Sequence, residues 1–422
     1  ADVLRRRAFD TTGIPPSEIV TRTIRHLIVE AFQPLGAPVS PPGIKCEPDD
    51  GASECLLVSA KPRVLYVSND KFARASNLFA SRGPQFNPDA FNPMGKTMDS
   101  WESVRHNVGG HETLDLALHH APGGGICVPH YAVISTAWHD GNHGEAVGLD
   151  ALLAPHTYDE EQRDECQPWV TLFPRTPLEG HSLHLVRVAL EQSVRPAQRV
   201  AHLRVLMYPD GGVSRLRLFT KLPAALATFF GDDLRPGESV RVRRIPQAIP
   251  PVRKPLALAS MGAEGSAQSE ALTRLREGDL ADVASAALGG EVVASSNEHY
   301  GPASAVISPL SPQGMYDGYE SARSRTRGHE DWVKVRLAVP VRITSIQVDF
   351  IYFVNNNPRY FMVEAHPAGA HHEVWLVLVP KTHTKPYAGN VFRYDIVSTT
   401  IFDQVRFVSI PDGGFNRVHV YT

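Results

Sequence analysis

The chain has 422 residues, 42% of them hydrophobic, enough for two or three domains with well-buried cores. A formal net charge of -3 leaves no basic footprint for nucleic acid and no polybasic patch for an anionic membrane. Cys46, Cys55, Cys127 and Cys166 show no C-x-x-C spacing and are read as free thiols of a reducing compartment. No stretch nears the ~18 apolar residues of a membrane span, and the basic start, residues 1–10, has no apolar run. The expectation is a cytoplasmic protein with neither nucleic acid nor membrane as partner.

In residues 15–32, the spacing of Ile19, Ile24, Leu27, Ile28, Ala31 and Phe32 behind Pro16-Ser17-Glu18 predicts an amphipathic helix. Residues 33–52, with Pro34, Pro38, Pro41, Pro42 and Pro48, cannot supply regular ladders, so 1–60 reads as a helical and Pro-rich N-terminal arm. From 61 to 222 short β-branched and aromatic runs alternate with turn residues, at 64–67, 114–118, 131–136, 183–190, 203–208 and 213–219. That spacing indicates an all-β sandwich. Pro209-Asp210-Gly211-Gly212 predicts a hairpin between the last two runs, with Arg215 and Arg217 alternating onto an outward face. Residues 223–278 change to charged, Pro-rich and small-residue stretches and read as the linker. A helix at 269–287 leads into a second sandwich, 279–422, with strands at 291–295, 332–337, 343–353, 360–365, 372–379, 395–398 and 405–410. Its final hairpin is Pro411-Asp412-Gly413-Gly414.

One short acidic-aromatic-basic stretch occurs twice, as Met98-Asp99-Ser100-Trp101-Glu102-Ser103-Val104-Arg105 and as Tyr316-Asp317-Gly318-Tyr319-Glu320-Ser321-Ala322-Arg323. Each copy follows a β-rich run ending in Asn69 or Asn297, and each precedes a Pro-Asp-Gly-Gly turn. The same order kept twice points to duplication.

These residues resemble the allantoicase family, the allantoate amidinohydrolases of purine breakdown. In the first repeat the resemblance rests on Ser68-Asn69-Asp70-Lys71-Phe72, Ala75-Ser76-Asn77-Leu78, Asp99-Ser100-Trp101-Glu102-Ser103 and Tyr208-Pro209-Asp210-Gly211-Gly212. In the second it rests on Asp317-Gly318-Tyr319-Glu320-Ser321, Gly328-His329-Glu330-Asp331-Trp332 and Asn355-Asn356-Asn357-Pro358. The resemblance implies two tandem jelly-roll-like, galactose-binding-like β-sandwich repeats. It also implies hydrolysis of allantoate to ureidoglycolate and urea, a C-N bond hydrolysis of a linear amidine. The sequence departs from the family pattern at Val104 before Arg105, at Gly110-His111-Glu112-Thr113, at Tyr319 in place of Trp, and at Ser324 between Arg323 and Arg325.

The implied reaction protonates a departing ureido group, delivers water to the remaining carbon, and needs a guanidinium to hold the substrate carboxylate. Glu320, His329 and Asp317 are the expected catalytic groups, with Arg323 and Arg325 binding substrate; Asp99, Glu102 and Arg105 are the substrate-binding candidates of the first repeat. Trp101 and Tyr319 read as packing anchors. His139-Asp140-Gly141-Asn142-His143 and His181-x-x-His184 carry metal-ligand types, at spacings that 19 histidines produce by chance. No metal ligand set and no cofactor is assigned, and metal dependence is left open. The expected partner is a small-molecule ureide, and the composition also accommodates a homo-oligomer. The alternative is a catalytically inactive duplicated β-sandwich binding module derived from the enzyme.

Overall fold

The computed structural model describes residues 56–422 except 93–94, 108–109, 119–123, 157, 162, 164–166, 190–197, 223–233, 245–280, 372–373 and 385–390. The described residues fall into two compact units, one within Ala1–Phe86 and Met98–Pro250, the other within Asn87–Thr97 and Pro251–Thr422. The N-terminal arm, Cys46, Cys55 and Cys166 lie outside the described residues, while Cys127 is an exposed free thiol.

In the first unit one sheet runs in the spatial order Arg63–Val67, Glu112–Ala117, Arg199–Tyr208, Ala146–Leu153, Val170–Pro177. A second runs Arg215–Phe219, Tyr131–Ser135, Ser182–Arg187, Ser239–Arg244. Leu114, Leu116, Val205, Leu149 and Phe173 from the first join Ile134, Leu185, Leu216 and Leu218 from the second in one core. Burying those side chains is the main stabilising term for such a sandwich.

The second unit repeats the order. Glu291–Ser295, Asp331–Val341, Phe402–Ile410, Tyr360–Pro367 and Leu376–His383 form one sheet, and Val391–Asp395, Ser345–Asp349 and Arg417–Tyr421 form the other. The first strand of each large sheet carries a register shift at the same point, between Val64 and Tyr66 and between Val292 and Ala294. The chain is thus two tandem jelly-roll-like β-sandwich repeats, and the duplication extends to irregularities of the ladder.

Four expectations differ from the structure. The Pro-Asp-Gly-Gly turns do not close hairpins: Arg199–Tyr208 and Arg215–Phe219 belong to different sheets, as do Phe402–Ile410 and Arg417–Tyr421. Each turn is a corner at which the chain crosses the sandwich, a path that turn residues specify no less well than a hairpin. The stretch read as linker contributes Ser239–Arg244, which pairs with Ser182–Arg187. Where described, 281–287 is not helical but a bridge at Asp282 followed by a short 3-10 turn at Ala286–Leu288. The strands Ala146–Leu153 and Val170–Pro177 are not among the expected runs, and Val391–Asp395 lies ahead of the run expected at 395–398.

His184 lies 3% exposed in Ser182–Arg187, and its Nε2 accepts the Glu179 amide at 2.9 Å. Burial, helped by nearby His143, pushes the ring down to about 4. The neutral ring therefore supports the fold at neutral pH, and that support is lost as pH falls from the ordinary histidine value through about 4. Across that window the wild type is expected to lose about 3 kcal/mol more than His184→Gln. Urea denaturation of both proteins from pH 7 to pH 4 measures the difference; parallel losses would remove His184 from the account.

Candidate functional site

The repeated stretch is tied to the sandwich by an ion pair, buried on both sides in the second repeat. In the second repeat, Asp317 closes the 3-10 turn Met315–Asp317, and its carboxylate accepts Arg417 Nη2 at 3.0 Å and the Gln313 amide at 3.1 Å. Its carbonyl accepts Arg417 Nη1 at 2.7 Å, while Arg417 Nε donates to the Leu310 carbonyl at 2.9 Å. The first repeat builds the same joint. Asp99 accepts Arg215 Nη2 at 2.8 Å, Arg82 Nη1 at 2.6 Å and the Gln85 amide at 3.0 Å, and its carbonyl accepts Arg215 Nη1 at 2.8 Å. Arg215 and Arg417 each stand three residues past their glycine pair.

Arg215 and Arg217 are therefore not an outward arginine face: they are 0% and 1% exposed. Strand alternation predicts which residues share a face, but long guanidinium groups can end in a buried set of carbonyl acceptors. Arg215 Nε donates to the Arg82 carbonyl at 2.9 Å, and Arg217 Nη2 donates to the Ala80 carbonyl. Burial pushes the Arg215 guanidinium down and Asp99 pushes it back up, as a desolvated but paired cation requires.

Above this joint the two-residue strands Trp101–Glu102 and Tyr319–Glu320 pair with Gly212–Val213 and Gly414–Phe415. Trp101 and Tyr319 are fully buried; the Trp101 indole donates to the Asn69 carbonyl at 2.9 Å, and the Tyr319 ring lies 5.3 Å from Phe415. Ser103 and Ser321 each accept an amide through Oγ, from Gly211 and Gly413, at 3.1 Å in both cases. Asn69 and Asn297 each accept the amide of Val104 or Ala322 at 3.3 Å. Asp210 accepts the Asn107 amide at 3.1 Å, and Asp412 the Ser324 amide at 2.9 Å. Gly413 has φ +133°, and a Cβ there would sit 2.5 Å from the Pro358 nitrogen, so this corner needs glycine.

Strand register places these loops at one end of each large sheet, since Asp331 pairs with Ser409, Tyr360 with Ile410, and Ser295 with Val333. There the second repeat buries Glu320, Arg323, Asp331 and Asp412, and the first buries Glu102, Arg105, Glu112 and Asp210. Glu102 Oε1 accepts Asn142 Nδ2 at 2.9 Å. In the second repeat Gly328, at φ +77°, and the His329 amide donating to the Thr326 carbonyl at 3.2 Å shape a turn beside the strand start. It leaves the His329 side chain 33% exposed, with Nε2 3.2 Å from Asp331 Oδ1. Arg325 is exposed.

Among the expected site residues, then, Glu320 and Arg323 are buried in the loops at this end, His329 stands at the neighbouring strand start and Arg325 faces solvent, whereas the carboxylates of Asp317 and Asp99 are engaged by Arg417 and Arg215. Asp331, Asp412 and Ser296 are not among the expected site residues: the sequence marks Asp331 only within the family motif and Asp412 only as a turn residue. The signal for Asp412 was its recurrence as Asp210 in both corners, which turn propensity explained equally well. Carboxylates, guanidinium and a one-third-exposed imidazole are residue types that can exchange protons with a small anionic molecule.

Among the described residues no group of three or more His, Cys, Asp or Glu side chains is arranged to hold a metal ion. His181 Nδ1 accepts the Trp138 amide at 2.9 Å, so that ring nitrogen, like Nε2 of His184, is occupied by the backbone.

A family model described as allantoicase repeat matches residues 55–223 and 281–422. A probable allantoicase of Schizosaccharomyces pombe is 28% identical over 363 residues, covering 85% of this chain and 89% of the relative. A probable allantoicase of Pseudomonas fluorescens is 27% identical over 366 residues, covering 85% and 92%. The crystal structure of allantoicase from Saccharomyces cerevisiae aligns with TM-score 0.32 and 23% identity over 87% of this chain and 92% of that one.

Removing the guanidinium from the joint strands a carboxylate that is 5% exposed. Arg417→Ala is expected to cost about 3–5 kcal/mol, and adding Asp317→Ala should restore part of that loss. Urea-denaturation midpoints of the two single variants and the double variant check this; additive losses would contradict the coupling.

Proposed function

The chain belongs to the allantoicase family, and from that premise we propose that it hydrolyses allantoate to ureidoglycolate and urea in allantoin and purine degradation. The bond cleaved is a C-N bond of a linear amidine, and the substrate is a small ureide. The observation that carries the assignment is the second repeat's loop end, where Glu320 and Arg323 are buried and His329, at the neighbouring strand start, is one-third exposed.

Allantoate bears one carboxylate and two ureido groups on the same carbon. Arg323 is held inside the loop, so its fork is positioned before the carboxylate arrives, and little side-chain entropy is lost on binding. Arg325, exposed on the same loop, supplies a second cation at the entrance. His329 exchanges a proton with the departing ureido nitrogen, since an imidazole ring carries both a donor and an acceptor nitrogen. Glu320 acts as the base that directs water to the carbon left behind. Asp317, although it has the right chemistry, is assigned to the tether on Arg417.

The first repeat keeps Glu102 and Arg105, but its register differs by one residue. Glu112 and Asp331 both begin a strand and both accept a serine hydroxyl, from Ser68 and Ser296. Counting back two residues from each gives Gly110 in the first repeat and His329 in the second. His111 instead is exposed, its ring 5.5 Å from Tyr208. Glu102 and Arg105 are accordingly assigned to substrate binding without proton transfer, and Asp99 to the tether on Arg215.

Purified protein incubated with allantoate should release urea and ureidoglycolate in equal amounts. Glu320→Gln should lower kcat about 100-fold or more, while Arg323→Ala should act mainly through KM. Urea release at the spontaneous rate by the wild type would leave the binding-module reading; wild-type turnover by Glu320→Gln would overturn the residue assignment alone.

A further inference from the structure

Asp331 is 1% exposed, and only one of its oxygens is supplied with donors. Oδ1 accepts the Ser296 hydroxyl at 2.7 Å and lies 3.2 Å from His329 Nε2. Oδ2 is fully buried without a hydrogen-bond donor among the described residues. A desolvated carboxylate with an unsatisfied oxygen is costly, and the cost is reduced when a donor with positive character faces it.

Ser296 fixes where that oxygen points. Its Oγ accepts the Trp332 amide at 2.9 Å, so its proton is directed to Asp331 Oδ1. Trp332 pairs with Val408 in the sheet, which makes the serine, and through it the carboxylate, an extension of the ladder. Tyr319 packs in the same place: burial raises its phenol, with Asp331's charge adding to the effect. The phenol therefore stays protonated and adds no second negative charge there.

We propose that Asp331, held by Ser296, is a positioning residue for His329: it keeps the ring proton on Nε2 and so leaves Nδ1 as the nitrogen that exchanges a proton with the ureido group. A carboxylate oxygen 3.2 Å from Nε2 disfavours a bare lone pair on that nitrogen, so the neutral ring carries its proton there. The first repeat retains the serine and the acid, as Ser68 and Glu112, but presents Gly110 where the ring would stand. The device is therefore complete in the second repeat alone. The inference rests on the reading of His329 as the proton-transfer group.

The test compares Asp331→Asn, Ser296→Ala and His329→Gln in the intact protein. Urea release is measured per folded molecule, and the ring tautomer of His329 is read from 15N NMR, assigned by difference from His329→Gln. Asp331→Asn should lower kcat about 10- to 100-fold with KM nearly constant, and should move the neutral ring away from its single Nε2-H form. Ser296→Ala, which leaves both ring and carboxylate in place, should lower kcat several-fold and give a mixed tautomer. If His329→Gln turns over as fast as the wild type, the reading of the site fails. If His329→Gln is inactive while Asp331→Asn and Ser296→Ala keep wild-type kcat and the Nε2-H tautomer, this inference fails and the site stands. Should Asp331→Asn not fold, the Ser296→Ala result decides by itself.

Discussion

An aspartate-arginine pair, fully buried in the second repeat and with a partly exposed Asp99 in the first, organises each repeat. Asp99 with Arg215, and Asp317 with Arg417, join a loop at one end of the chain segment to a strand about a hundred residues later. In water such a pair contributes little, but removed from solvent its cost falls as its charges gain hydrogen bonds; in Asp317 the donors converge on Oδ2, while Oδ1 is buried with none among the described residues. The arginine donates to the aspartate carboxylate, the aspartate carbonyl and a further loop carbonyl. Loop closure over that distance is entropically costly, and the two-residue strand pairs that follow the joint add further links between the same segments.

The consequence for function is positional. Once Asp317 fixes the turn, the next residues have little freedom: Tyr319 enters the core, Glu320 pairs with Gly414, and Ser321 braces the corner at Gly413. Arg323 and Glu320 then stay buried by construction, which suits the roles proposed for them. His329 sits outside this lock, on a turn that leaves a third of its side chain exposed. The arrangement separates a buried set of charged side chains from one partly exposed ring.

Period-two alternation and turn residues made the all-β class and the twofold repeat legible, because both are local in sequence. Residues 131–136 and 291–295 were read nearly as they stand, since β-branched runs are bounded there by clear turns. Ala146–Leu153 was missed because its Gly148 and alanines lack strand propensity, and burial on both sides supplies what propensity does not. The corners were misread as hairpins because Pro-Asp-Gly-Gly specifies a reversal without saying which sheet receives the next strand. At the site, residue types were legible and partners were not. Asp317 and Glu320 look alike in a loop sequence, yet one faces an arginine contributed from the end of the chain. The same long-range information buried Arg215 and Arg217, which alternation had turned toward solvent.

The central claim is that allantoate is held and turned over in the second repeat. A crystal structure of the intact protein soaked with ureidoacetate tests it most directly, because that molecule has the carboxylate and one ureido group but no second group to leave. The account predicts its carboxylate against Arg323 and its ureido nitrogen within hydrogen-bond reach of His329. Ureidoacetate bound only in the first repeat, or away from both loops with Arg323 and His329 untouched, would contradict it.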